Sequence, residues 1–180
     1  RYTIVYVVAN VVTNPILYKN MVDPVKELAP VTRLTSQAYI LVANSSFPAR
    51  TLPEVLAAAK AKPGSVSCGS GGGLMTFGCA WMKTATQLDF INVQYKGNAP
   101  AMNDLLGGQV DFMCDQTTNT TGQIKGGKVK VYGITSAQRV ASLPDIPTLQ
   151  EQGLKGAEVG IWHGLYAPKG TPKPVLDKLV

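Results

Sequence analysis

The chain has 180 residues, 45% of them apolar and 16% charged, with a formal net charge of +6. This is the composition of a folded globular protein, with length for one ordinary domain or two small lobes, and it excludes a disordered chain. No apolar run approaches the roughly 18 residues of a membrane span, and the basic residues are scattered singly, so no nucleic-acid partner is expected.

The chain opens in an apolar run, Tyr2 to Val8, without the zones of a secretory leader, as a mature or truncated chain would. Residues 2–9, rich in β-branched and aromatic side chains, predict a buried strand. Asn14-Pro15 and Asp23-Pro24 punctuate a loop-rich stretch. A second strand is expected over 31–43, around Tyr39-Ile40-Leu41-Val42, with a turn at Asn44-Ser45-Ser46. Thr51 as N-cap, Pro53 near the start and Glu54 three residues after the cap predict a helix over 52–62.

From there the pattern alternates. A strand is expected at 65–68, a Gly-rich loop at 69–73, a helix at 74–86, a strand at 90–94, a loop at 95–98 and a helix at 99–106. A strand at 109–114, a helix at 117–125 and a strand at 128–134 follow, with breaks at Gly107-Gly108 and Gly126-Gly127. This order predicts an α/β unit with helices on both faces of a sheet. Residues 138–156 read as irregular apart from a short helix over 148–152. A strand over 159–167 and a helix over 172–180 complete the pattern. A chain that starts inside a strand and stops inside a helix looks like a piece of a longer protein.

Cys68, Cys79 and Cys114 are far apart and lack CxxC spacing, so neither a zinc site nor a dense disulfide framework is expected. Their apolar or small flanks suggest buried free thiols, with one disulfide plus one free thiol as the alternative. His163, the single histidine, lies on a largely apolar strand, where a structural role is expected. Trp162 beside it reads as a core residue or a ligand contact.

Three stretches could carry chemistry. Cys68-Gly69-Ser70-Gly71-Gly72-Gly73 joins a predicted strand to a predicted helix, where close backbone approach and a helix N-terminus favour an anion. It matches neither a P-loop nor a GxSxG nucleophile elbow; the alternative is a turn that only lets strand and helix pack. Tyr95-Lys96-Gly97-Asn98 again sits between strand and helix and offers a hydroxyl, a flat ring and unusual backbone angles. At Cys114-Asp115-Gln116-Thr117-Thr118, Asp115 is either a ligand acceptor or a helix cap. All three stretches sit at carboxyl ends of strands, where ligands of open α/β sheets gather.

The stretch Val93-Gln94-Tyr95-Lys96-Gly97-Asn98-Ala99-Pro100-Ala101-Met102-Asn103-Asp104-Leu105-Leu106-Gly107-Gly108-Gln109-Val110-Asp111 closely resembles the substrate-binding proteins of tripartite tricarboxylate transporters, the Bug family. Ile134-Thr135-Ser136-Ala137-Gln138-Arg139, Leu143 to Gly153 and Gly164 to Pro172 carry the same resemblance, as do Asn14 to Lys19 and Asp23 to Lys26. It implies a two-lobed periplasmic-binding-protein architecture of type II, each lobe a mixed sheet flanked by helices, with the first lobe incomplete. Residues 1–43 and 135–180 would belong to lobe 1, and 44–134 to lobe 2.

The implied function is extracytoplasmic capture of a small organic carboxylate between the lobes, for delivery to the membrane permease subunits of such a transporter. The implied molecule is a periplasmic monomer, not an enzyme, with no cofactor and no metal. The alternatives are a ligand sensor for a signalling partner, or a small-acid hydrolase using Ser70 or Cys68 with His163. The resemblance places ligand contacts on Ser70, Gly71, Gly72 and Gly73, on Tyr95, Lys96, Gly97 and Asn98, on Asp115, and on Asn10 from the first lobe. The chain departs from the family in three places. The Pro/Gly-rich loop that clamps a carboxylate from the first lobe is unmatched, and so is the C-terminal tail. Leu74-Met75-Thr76-Phe77 stands where a histidine is usual, which implies a less polar or shifted pocket.

Overall fold

The computed structural model describes residues 3–9, 11, 12, 15, 19, 21, 23–71 and 74–180. In chain order its elements are β1 (Val5–Val8), α1 (Pro24–Glu27), β2 (Leu28–Asn44), α2 (Leu52–Ala61), β3 (Ser67–Ser70), α3 (Leu74–Thr86), β4 (Ile91–Gln94), α4 (Asn98–Leu106), β5 (Phe112–Gln116), α5 (Thr117–Lys125), β6 (Val129–Ile134), β7 (Gly160–Pro168) and α6 (Lys173–Leu176). The chain divides into two compact units, one of residues 1–37 with 161–180 and one of residues 38–160.

In the first unit β1 pairs antiparallel with β7, Val5 opposite Tyr166 and Val8 opposite His163. The single turn α1 is capped by Asp23, whose carboxylate accepts from the amides of Val25 and Lys26. Lys169 ties the two stretches of this unit together, its amide donating to the Glu27 carbonyl at 2.8 Å.

The second unit is built on a mixed sheet in the order β6-β2-β5-β3-β4. β2 is antiparallel to β5 and β6, while β3 is parallel to both β5 and β4. Residues 38–44 of β2 are buried without a break, the pattern of a strand covered on both faces rather than one. One face carries Ala38, Ile40 and Val42 with Met113, packed with Ala101, Met102 and Leu105 of α4. Cys114 alternates with Met113 and so faces the other side, where α3 presses on it: a Cβ on Gly78 would lie 2.7 Å from the Cys114 Cβ. Each fully buried Ile, Leu or Val contributes roughly 1.5–3 kcal/mol, so this central run anchors the unit.

Two helices stop where their Gly-Gly pairs stand. After α4 the amide of Gln109 donates to the Asp104 carbonyl and that of Gly108 to Leu105, with Gly108 at φ +74°. Lys128 and Gly127 repeat this after α5, with Gly127 at φ +64°. Both are Schellman closures, which need a left-handed residue at that point. The first one delays β5 to Phe112, where a strand from 109 was expected.

The helix expected over 148–152 does not form; this segment is a run of turns. Its start signal is real, because the Glu151 carboxylate accepts from the Thr148 amide at 2.7 Å and the Glu151 amide donates to Thr148 Oγ1 at 3.1 Å. This is a reciprocal capping box. Gly153, at φ +89°, closes the turn at once through Leu154 N to the Leu149 carbonyl. Leu149 is fully buried, so the segment serves as a plug.

Tyr39 is buried, and its hydroxyl lacks a hydrogen-bond partner among the described residues. An orphaned buried hydroxyl is destabilising, whereas an apolar group of the same shape is not. Tyr39→Phe is therefore expected to raise the unfolding free energy by about 1 kcal/mol, read as a higher urea midpoint at unchanged m-value.

Candidate functional site

Because β3, β4 and β5 are parallel, their carboxyl ends lie along one edge of the second unit's sheet. The three stretches singled out from the sequence follow these strand ends, and the structure joins them through one residue. A Cβ on Gly71 would lie 2.2 Å from Asn98 Oδ1 and 2.8 Å from both the Asn98 amide nitrogen and the Gly97 carbonyl carbon. Gly71 thus rests directly on the Gly97-Asn98 turn. Asn98 Nδ2 in turn donates to Asp115 Oδ1 at 2.7 Å. Gly71, Asn98 and Asp115 form one constellation.

The other predicted residues have distinct places. Ser70 is fully buried, with its hydroxyl 3.4 Å from Thr76 Oγ1 and its carbonyl accepting from the Tyr95 amide at 2.8 Å. Tyr95 is half-buried beneath Gly69 and donates its hydroxyl to Asp104 Oδ2 at 2.7 Å. Burial and then the Asp104 contact hold that hydroxyl above its ordinary pKa. The hydroxyl expected to face a ligand is engaged within the unit. Lys96 is exposed. Gly97 has φ +114°, where a side chain is strained, and precedes α4 without a side-chain cap. Asn10, Gly72 and Gly73 lie outside the described residues.

Asp115 is buried and accepts four hydrogen bonds: from Asn98 Nδ2, from the Gln116 amide at 2.6 Å, from Asn119 Nδ2 at 3.3 Å and from Thr120 Oγ1 at 3.2 Å. Burial pushes its carboxyl above the ordinary value, and the bonds from Gln116, Asn119 and Thr120 oppose this. No acidic residue occupies the first turn of α3, α4 or α5. The first turns of α3 and α4 therefore keep their partial positive charge for an incoming anion, whereas the Asp115 carboxylate already sits against the start of α5 through the Gln116 amide.

Beside the constellation, between α4 and α5, is a cavity of about 380 Å³ lined by the carboxamides of Asn98, Asn103, Asn119 and Gln123 together with Asp115. The sequence reading missed Asn103, Asn119 and Gln123. Asn119 and Gln123 carried a signal, the i, i+4 spacing that puts both amides on one stripe of α5; Asn98 and Asn103, five residues apart, show no such period.

In the first unit Trp162 stacks on Tyr166, ring centroids 6.1 Å apart, and lines a separate cavity of about 360 Å³ with Pro30 and Arg33. His163 contacts Thr35 Oγ1 through Nδ1 at 2.6 Å and stacks on Tyr6 at 5.6 Å. Among the described residues no group of three or more His, Cys, Asp or Glu side chains is placed to hold a metal, and no helix is long and apolar enough to cross a membrane.

The cysteines correct an expectation. Cys68 and Cys79 are joined as a disulfide, Cα atoms 6.1 Å apart, instead of lying as free thiols. Spacing along the chain hides this pairing; the crossover from β3 to α3 folds residue 79 back over residue 68. A bonded Cys68 has no thiolate to offer as a nucleophile. Cys114 is the free cysteine, and burial, followed by the neighbouring Asp115, pushes its thiol up to about 12. Native protein treated with iodoacetamide at pH 8 is expected to gain no mass. In denaturant it should gain one carbamidomethyl group.

The model of the tripartite tricarboxylate transporter family receptor matches residues 1–180. A protein of Agrobacterium vitis from the TAR-I ttuE-ttuC' intergenic region is 38% identical over 172 residues, 94% of this chain and 50% of the relative. Among solved structures, the periplasmic binding protein BugD is 45% identical with a TM-score of 0.86, over 98% of this chain and 60% of BugD. MatC from Rhodopseudomonas palustris, with bound malate, is 32% identical with a TM-score of 0.86, over 98% of this chain and 62% of MatC. The chain thus spans about half the length of the curated relatives it matches. With the family model matched from end to end and the fold shared with BugD and MatC, this chain belongs to the tripartite tricarboxylate transporter receptor family of solute-binding proteins.

Proposed function

We propose that the chain captures a small organic carboxylate outside the cytoplasm and delivers it to membrane permease subunits of a tripartite transporter. The observation that carries this reading is the convergence of three parallel strand ends through Gly71, Asn98 and Asp115, where the first turns of α3 and α4 hold no acidic side chain. Such an edge offers backbone donors and positive dipole ends to an anion. Ser70, Gly71, Gly72 and Gly73, the 95–98 turn and Asp115 are proposed as its share of the contacts, with Asn10 contributing from lobe 1. The two compact units, residues 1–37 with 161–180 and residues 38–160, are proposed as the bodies that close on the ligand. MatC carries malate, and a further relative of known structure, Rpa4515 from R. palustris, is described with adipate. The disulfide suits an oxidising compartment such as the periplasm.

Thermal shift against succinate, malate, adipate and benzoate, with intact ligand mass read before and after, tests the proposal. Stabilisation by one or more acids recovered unchanged is expected. Chemical conversion of the acid, or indifference of the folded chain to all four, would overturn it.

A further inference from the structure

We infer that the Cys68–Cys79 disulfide positions the Gly-rich loop for its ligand, so that affinity, more than folding, depends on this bond. The inference rests on the carboxylate-binding role proposed above. The bond spans a sequence separation of 11 and encloses the whole crossover from β3 to α3, including Ser70 and Gly71. One end is fixed in β3, which is paired on both sides by β4 and β5. The other end lies in α3, one residue beyond Gly78, where that helix meets the Cys114 side chain without room for a Cβ.

Both sulfurs are in the core, Cys68 at 0% and Cys79 at 3% exposure, so solvent reductants do not reach them in the native state. The enclosed segment needs such a staple. Residues 69–73 contain four glycines, and glycine loses the most backbone freedom on ordering. Gly71 must also be held against the Asn98 amide with no side chain to lock it there. A ring closed by a disulfide removes alternative loop conformations before ligand arrives, which lowers the ordering cost of binding.

The test compares the 180-residue chain with its Cys68→Ala/Cys79→Ala variant. Val55→Ala, which opens a cavity at a fully buried position of α2, controls for general destabilisation. Each of the four acids is titrated by calorimetry at a temperature where circular dichroism shows all three proteins folded, and amide exchange is followed by mass spectrometry. For the double variant the inference expects at least a tenfold loss of affinity and faster exchange confined to 69–78, with Val55→Ala retaining parental affinity. If the parental chain binds an acid and the double variant binds it equally well, or its exchange in 69–78 is unchanged, the inference is overturned. If the parental chain binds none of the four acids, the functional proposal itself has failed.

Discussion

Gly71→Ala is expected to abolish most ligand binding while leaving the rest of the sheet intact. The added methyl would overlap Asn98 Oδ1, which can swing away, but also the Asn98 amide nitrogen and the Gly97 carbonyl carbon at 2.8 Å, which cannot. Either the Gly-rich loop lifts off the 97–98 turn or that turn moves and breaks the Asn98–Asp115 bond. Overpacking of this kind costs about 1–3 kcal/mol. Because the strain is relieved by separating the two loops that make the site, tenfold or greater weakening of binding is expected. Calorimetric titration with the acid bound by the parental chain, with circular dichroism to verify folding, gives the result. Gly97→Ala offers a useful contrast. A Cβ there meets nothing within 4 Å, but φ +114° is a strained angle for any side chain. It should therefore lose stability, by roughly 1–3 kcal/mol, without closing the space beneath Gly71.

The helices between residues 52 and 125 were the most legible part of the fold, whereas the one expected over 172–180 is the single turn α6, Lys173–Leu176. The 74–86 and 117–125 expectations coincide with α3 and α5 because Gly-rich or Gly-Gly punctuation flanks them. The 52–62 helix ends one residue early, at Ala61, and its predicted cap is present, with the Glu54 amide donating to Thr51. Strand limits were less legible, because pairing sets them. β2 begins at Leu28, three residues before the expected start, and β5 begins late because the turn closing α4 consumes Gln109. At 148–152 a sound capping signal met a glycine that closed the turn before a helix could propagate. Local signals set where a helix can start; the neighbouring glycines set whether it continues.

For the site, position along the strands was legible and the contacts were not. Three loops at strand ends could be read from the alternation of elements, but their joining through Gly71 depends on a backbone contact between residues 26 or more positions apart. The Cys68–Cys79 pairing and the amide-lined cavity have the same character. Each arises where two elements cross, and no period within a single element records it. Tyr95 shows the limit from the other direction. Its hydroxyl was visible in the sequence, but its partner, Asp104, is one helix further on and within reach only because α4 packs back over β4's exit.

Asp115→Ala is expected to cost about 3–5 kcal/mol of stability, because it leaves four donors in or near the core without their acceptor. It also frees Asn98, so the affinity for a carboxylate should fall with it. Asp115→Asn keeps the shape and one acceptor oxygen, and a smaller loss of about 1–2 kcal/mol is expected. The two variants separate the carboxylate's charge from its geometry through pH. Burial raises the folded-state value of Asp115 above its ordinary 3.8, so the native state retains this proton to higher pH than the unfolded chain. Its contribution to stability is then complete below the unfolded value and declines as pH rises through the folded value. Urea denaturation of parental and Asp115→Asn protein from pH 3 to 7 should show the parental advantage greatest at the acid end and shrinking as pH rises, then level. An advantage that instead grows with pH would mean that the four donors outweigh burial and hold the folded-state value of Asp115 below its ordinary one.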